Sequence, residues 1–166
     1  VKSLQNLITL KLVISNVSVE FNNLFPGLET SIQNLHKLKQ IIISFEVNNK
    51  TLTYIIYHII NGLKSCEELE KLDLSFKNIS PSSTGIFSGF WKETFRNLKK
   101  LNYFKLHTGE DSTLHTNFTE VFTAISELTE LKTLDLSIIG DKNSSGQLEI
   151  LANSITVLSK LKDFSL

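Results

Sequence analysis

The chain has 166 residues, and seventeen basic side chains balance seventeen acidic ones for a formal net charge of zero. That balance excludes a global field toward nucleic acid or an acidic membrane surface. Arg96 is the sole arginine, so the planar guanidinium fork favoured for phosphate and base readout is almost missing. The single cysteine, Cys66, excludes an internal disulfide; it fits a reducing compartment, and a secreted repeat protein reads the same way. Hydrophobic residues make up 41% of the chain, enough to fill a core.

One template recurs in chain order. It falls at Leu4/Leu7/Leu10/Leu12, Leu35/Leu38/Ile41/Ile43 and Cys66/Leu69/Leu72/Leu74. It continues at Leu98/Leu101/Phe104/Leu106, Leu128/Leu131/Leu134/Leu136 and Leu158/Leu161/Phe164/Leu166. Successive copies are offset by 31, 31, 32, 30 and 30 residues, which is the signature of a repeat array. The last two anchors of each copy stand two residues apart, so they share one face of a strand and the residue between them faces the other way.

Ahead of each template the apolar spacing becomes helical. The stripes are Phe25/Leu28/Ile32, Ile56/Ile59/Leu63, Ser88/Trp91/Phe95, Phe118/Val121/Ile125 and Leu148/Leu151/Ile155, with Phe87 beside the one polar member, Ser88. Pro26 falls in the first turn of its helix, where a missing amide hydrogen costs nothing. Loop punctuation follows the strands at Ser80-Pro-Ser-Ser-Thr-Gly85, Gly109-Glu-Asp-Ser112 and Gly140-Asp-Lys-Asn-Ser-Ser-Gly146. Each repeat is therefore expected to be a short strand, a polar loop and a helix, stacked so that neighbours bury one continuous core. The longest apolar run, Leu52 to Leu63, is broken by Thr53, Tyr54, Tyr57, His58, Asn61 and Gly62 and is too short for a bilayer span of about 20 residues.

The stretches Cys66-Glu-Glu-Leu-Glu-Lys-Leu-Asp-Leu-Ser75 and Leu128-Thr-Glu-Leu-Lys-Thr-Leu-Asp-Leu-Ser137 resemble the leucine-rich repeat family in its helix-bearing, ribonuclease-inhibitor-like form. The Lys/Asn/Ile bias, with the turns at Asn78-Ile79 and Ile139-Gly140-Asp141, is similar to repeats common in ciliate proteins. The resemblance covers the whole chain. It implies an α/β leucine-rich repeat solenoid, a horseshoe with a parallel concave sheet and convex helices, in repeats of about 30 residues. Two features depart from the family: the repeats run longer than usual, and the Asn expected after the strand appears only as Asn16 and Asn78. Residues 1–166 read as a single array. The chain contains no methionine, and its templates run from Leu4 to Leu166, so it reads as an uncapped fragment of a longer protein.

The family resemblance implies binding on the concave sheet, and strand alternation names the residues that line it. Between the last two anchors stand Lys11, Ile42, Asp73, Lys105, Asp135 and Ser165. One flanking column is Thr9, Gln40, Lys71, Tyr103, Thr133 and Asp163; the other is Val13, Ser44, Ser75, His107 and Ser137. The partner-binding candidates are Lys71, Asp73, Ser75, Tyr103, Lys105, His107, Thr133 and Asp135, centred on Tyr103, Lys105 and His107 because aromatics and charges anchor interfaces. Asp73, Lys105 and Asp135 also form an alternating ladder, which by itself stabilises a sheet by roughly 0.2–1 kcal/mol per cross-strand pair. Ser75, His107 and Asp135 fall on successive strands, but a flat sheet offers no oxyanion hole and a triad is recognised by geometry.

No catalytic residue, cofactor site or metal site is expected. His36, His58, His107 and His115 lack ligand spacing, His58 reads as a helix-surface residue, and Cys66 is a core anchor. Gly62-Leu-Lys-Ser65 lacks the first glycine of a phosphate loop. The expected function is a non-enzymatic scaffold, cytoplasmic or in a cytoskeletal or ciliary assembly, that binds another protein or a larger protein assembly. No nucleic acid and no membrane span are expected. Five Asn-X-Ser/Thr sequons stand at Asn16, Asn49, Asn78, Asn117 and Asn143; Asn49, Asn117 and Asn143 are the candidate glycosylation sites. They support the alternative of an extracellular or ciliary-surface glycoprotein. A third reading is the regulatory arm of an enzyme whose catalytic domain lies elsewhere.

Overall fold

The spacing of the anchors has a backbone cause. At the end of one helix the Cys66 N–H donates to the Leu63 carbonyl at 2.9 Å, and the Leu69 N–H donates to the Cys66 carbonyl at 3.0 Å. The same two bonds link Ile32, Leu35 and Leu38; Phe95, Leu98 and Leu101; Ile125, Leu128 and Leu131; and Ile155, Leu158 and Leu161. Two consecutive three-residue turns lead the chain off the helix, so these anchors are three apart. Beyond them the chain is extended, so the last two anchors are two apart.

The computed structural model describes residues 4–15, 25–46, 51–77, 89–109, 118–138 and 145–166. Strands β1 (Thr9–Ser15), β2 (Gln40–Glu46), β3 (Lys71–Lys77), β4 (Tyr103–Thr108), β5 (Thr133–Ser137) and β6 (Asp163–Ser165) alternate with five helices among the described residues. These are α1 (Phe25–Gln33), α2 (Thr51–Leu63), α3 (Trp91–Asn97), α4 (Thr119–Ile125) and α5 (Ser145–Ile155). The strands form one sheet in the order β1-β2-β3-β4-β5-β6, and every neighbouring pair is parallel. This is an α/β architecture of alternating strand and helix units.

A second recurring bond locks each unit to the next. The Ile8 carbonyl accepts from the N–H groups of Lys39 and Gln40 at 2.8 and 3.1 Å, and the Lys39 carbonyl accepts from Glu70 and Lys71 at 2.8 and 2.9 Å. Glu70 repeats the bond with Asn102 and Tyr103, Asn102 with Lys132 and Thr133, and Lys132 with Lys162 and Asp163. The register follows, so equivalent residues of successive repeats stand side by side, as in Leu72 opposite Phe104 and Asp73 opposite Lys105.

One hydrophobic cluster joins the inward strand residues to the helix stripes. Phe45 and Phe76 stack at 6.0 Å between ring centroids, and Phe95 meets Phe104 edge-on at 5.1 Å, tying α3 to β4. The buried Thr94 hydroxyl lies 3.2 Å from the Ile60 carbonyl and 3.0 Å from that of Phe90, linking α3 to α2. Gly62 lies inside α2 where a side chain would meet α1, since a Cβ at this position would fall 3.0 Å from Ile32 Cβ.

Several expected core members are not buried. Leu4 is 50% exposed, Leu148 43%, Phe164 47% and Leu166 64%. An apolar residue of a repeat is covered by the repeats on both sides of it, and among the described residues β1 and β6 each pair with one strand and α5 packs against one helix, α4. His58 also differs from its reading as a helix-surface residue. It is half-buried, with Nδ1 2.6 Å from Glu29 Oε2 of α1. Asn61 Nδ2 donates to the other oxygen of that carboxylate, and Gln33 Nε2 donates to it at 3.3 Å. The Glu29 carboxylate thus joins α1 to α2. No helix among the described residues is long and apolar enough to cross a membrane.

Candidate interaction surface

The face of the sheet opposite the core carries three columns in strict register. The first runs Thr9, Gln40, Lys71, Tyr103, Thr133, Asp163; the second Lys11, Ile42, Asp73, Lys105, Asp135, Ser165. The third runs Val13, Ser44, Ser75, His107, Ser137. Strand alternation places all eight partner-binding candidates on this face: Lys71, Asp73, Ser75, Tyr103, Lys105, His107, Thr133 and Asp135. All are partly exposed.

Their side chains interact mainly along the columns. The Lys71 ammonium sits 4.4 Å from the centre of the Tyr103 ring, a cation held over an aromatic face. Burial pushes the Tyr103 phenol above its ordinary value, and the nearby Asp73 charge pushes it further. Lys105 Nζ donates to Asp135 Oδ2 at 2.9 Å, and the Ser165 hydroxyl donates to Asp135 Oδ1 at 2.9 Å. The Lys105 hydrogen bond and then that of Ser165 hold the Asp135 carboxyl below the usual carboxylate range. The same bond holds the Lys105 ammonium above its ordinary value. Thr133 Oγ1 donates to Asp163 Oδ2 at 3.4 Å.

Asp73 faces Lys105 in register on one side and Asp135 faces it on the other. The ammonium bonds Asp135, and Asp73 acts on Lys105 through its field alone. The ladder is thus broken into one bonded pair and one unbonded carboxylate. Ser75 stands opposite His107, but Asp135 lies in the next column, and both its oxygens are occupied by Lys105 and Ser165. No Asp–His orienting bond forms there. In the third column His107 is flanked by Ser75 and Ser137.

Among the described residues, no group of three or more His, Cys, Asp or Glu side chains could hold a metal. Cys66 is buried, its Sγ is 3.8 Å from the Ile32 carbonyl, and desolvation pushes its thiol up to about 12. Gly62 packs α2 against α1, where a Cβ would meet Ile32 and the Glu29 carbonyl. The glycosylation candidates Asn49, Asn117 and Asn143 lie outside the described residues, as do Asn16, Asn78, Phe87, Ser88 and the Ser80–Gly85 turn.

The structure also shows residues that the strand reading passed over. Asp163 and Ser165 of β6, placed in the columns but not among the partner-binding candidates, extend the polar contacts of the face, and a set of lysines and glutamates outside the columns lines the N-terminal edge of the sheet. Their signal was legible two residues after each first anchor, where the chain reads Asn6, Lys37, Glu68, Lys100, Glu130, Lys160. Comparison with protein-family models, with curated proteins and with solved structures finds no match to this chain.

Proposed function

We propose that this chain is a leucine-rich repeat module, horseshoe-like and without enzymatic activity, that binds another protein through the concave face of its sheet. The observation that supports it most is the Tyr103 ring. It is half-buried, held under the Lys71 ammonium and next to the Lys105–Asp135 pair. A rigid aromatic with satisfied charges around it is the kind of residue that anchors an interface at low entropic cost. The small side chains of Ser75 and Ser137 on either side of His107 leave room for a partner's side chains.

The test is affinity capture from extracts of the source cells, comparing the intact chain with Tyr103→Ala/Lys105→Ala/His107→Ala. Circular dichroism and urea midpoints of both chains are matched first. Loss of a specific partner in the triple variant is the expected result. An unchanged set of partners overturns the proposal.

A further inference from the structure

The edge at which each helix hands over to its strand follows a rule of its own. Two residues after each first anchor, the side chains bond in pairs across repeats. Lys37 Nζ donates to Asn6 Oδ1 at 2.8 Å, Lys100 Nζ to both Glu68 oxygens at 2.6 Å, and Lys160 Nζ to Glu130 at 2.5 and 2.6 Å. Two residues further on, the column reads Ile8, Lys39, Glu70, Asn102, Lys132, Lys162. There Lys39 meets Glu70 at 2.9 Å. A lysine on this edge is answered by an acid or amide of the adjacent repeat.

The rule fails at Lys132 and Lys162. Both are exposed, and neither ammonium has a hydrogen bond or ion pair among the described residues. Lys99 is in the same position. It lowers the Glu127 carboxyl through its field, but that carboxylate is already bonded by Arg96 at 3.3 and 3.4 Å, with Lys92 at 3.8 Å.

Glu70, Lys99, Lys100, Asn102, Glu130 and Lys132 line one open groove of about 380 Å³. Glu70, Lys100 and Glu130 are neutralised by Lys39, Glu68 and Lys160, which stand outside it. Lys99 and Lys132 are left, so a chain of zero net charge holds two uncompensated positive charges in one groove. Lys162 continues the column beyond it, its backbone N–H bonded to the Lys132 carbonyl at 2.8 Å.

We propose that this groove is a docking site for an acidic peptide segment of a partner protein. Its carboxylates would take the places at Lys99 and Lys132 that Glu68, Glu70 and Glu130 fill at the other lysines. Separate carboxylates suit the groove better than a continuous phosphate backbone, because two isolated ammonium groups can each pair with one carboxylate but leave most of a closely spaced run of phosphates unpaired. The site is separate from the Tyr103 face and does not rest on it.

The probe is a fluorescently labelled ten-residue peptide alternating Glu and Ser, titrated by anisotropy into the intact chain at low salt. Binding that weakens with added salt is expected, and Lys99→Gln/Lys132→Gln should weaken it about tenfold. The triple alanine variant of the Tyr103 face should bind the peptide as the parent does, which separates the two proposals. Both groove lysines are exposed and, among the described residues, unbonded, so the double variant should keep the parent's urea midpoint. Equal affinity of the parent and the double variant overturns the proposal. So does equally tight binding of a Lys-Ser peptide or of a single-stranded oligonucleotide.

Discussion

Gly62 is the most direct test of how closely the helices are packed. A Cβ built there lies 3.0 Å from Ile32 Cβ, 3.1 Å from the Glu29 carbonyl oxygen and 3.2 Å from Ile32 Cγ2. Two of those atoms belong to the backbone or to the first atom of a branched side chain, which cannot swing away. In a free helix interior, Gly→Ala gains roughly 1 kcal/mol. Forcing a methyl into a filled contact costs about 1–3 kcal/mol, so Gly62→Ala should destabilise the chain by about 1 kcal/mol on balance. Moving α2 outward to relieve the clash would also stretch the Glu29 bonds to His58 and Asn61. Gly27 of α1 is the control, since nothing lies within 4 Å of a Cβ built there. Gly27→Ala should be neutral or stabilising, by up to about 1 kcal/mol. The assay is urea unfolding followed by circular dichroism. In thermal unfolding, about 1 kcal/mol corresponds to roughly 2–4 °C at this size. The two substitutions share the same chemistry, yet only Gly62→Ala should lower the midpoint. A Gly62→Ala chain as stable as the parent, or more so, would refute the close approach of α1 and α2.

Two further outcomes follow from the ionisable groups. The lowered Asp135 carboxyl favours the folded chain above the ordinary aspartate range near 3.9, and that contribution is lost as pH falls through its lowered value. The raised Lys105 ammonium contributes below the ordinary lysine value near 10.4 and loses its contribution as pH rises past the raised one. Both groups are partly solvated, so Lys105→Gln should cost only about 0.5 kcal/mol at pH 7, and its urea midpoint should converge on the parent's in acid. A gap that stays constant down to pH 2 would mean that the pair is not the cause. Cys66, with its thiol pushed up to about 12 and no exposure, should resist iodoacetamide at pH 8 in the folded chain and react fully in urea; rapid native labelling would contradict its place in the core.

Much of the architecture could be read from the apolar spacing because its causes are local. The three-residue steps from Leu63 to Cys66 to Leu69 are hydrogen-bonded turns, and the two-residue step from Leu72 to Leu74 is an extended backbone. Because each repeat enters its strand at the same count, the columns that hold Lys71 and Tyr103, or Lys105 and Asp135, follow from arithmetic on the chain. That count places residues on a face and beside each other. It does not say which neighbour a side chain takes.

The sequence alone therefore determined the strand and helix units, the inward anchors of the central repeats, and the membership of the open face. Only the tertiary structure decided that Lys105 bonds Asp135 and not Asp73, that Lys71 lies over Tyr103, and that His58 turns to Glu29. It also left Leu148, Phe164 and Leu166 exposed although they fit the apolar pattern. Periodicity is a property of one stretch of backbone, whereas burial and pairing depend on what the adjacent repeat presents. Among the described residues Lys99 and Lys132 bond no carboxylate of an adjacent repeat, and a gap of that kind appears only when the side chains are placed together in space.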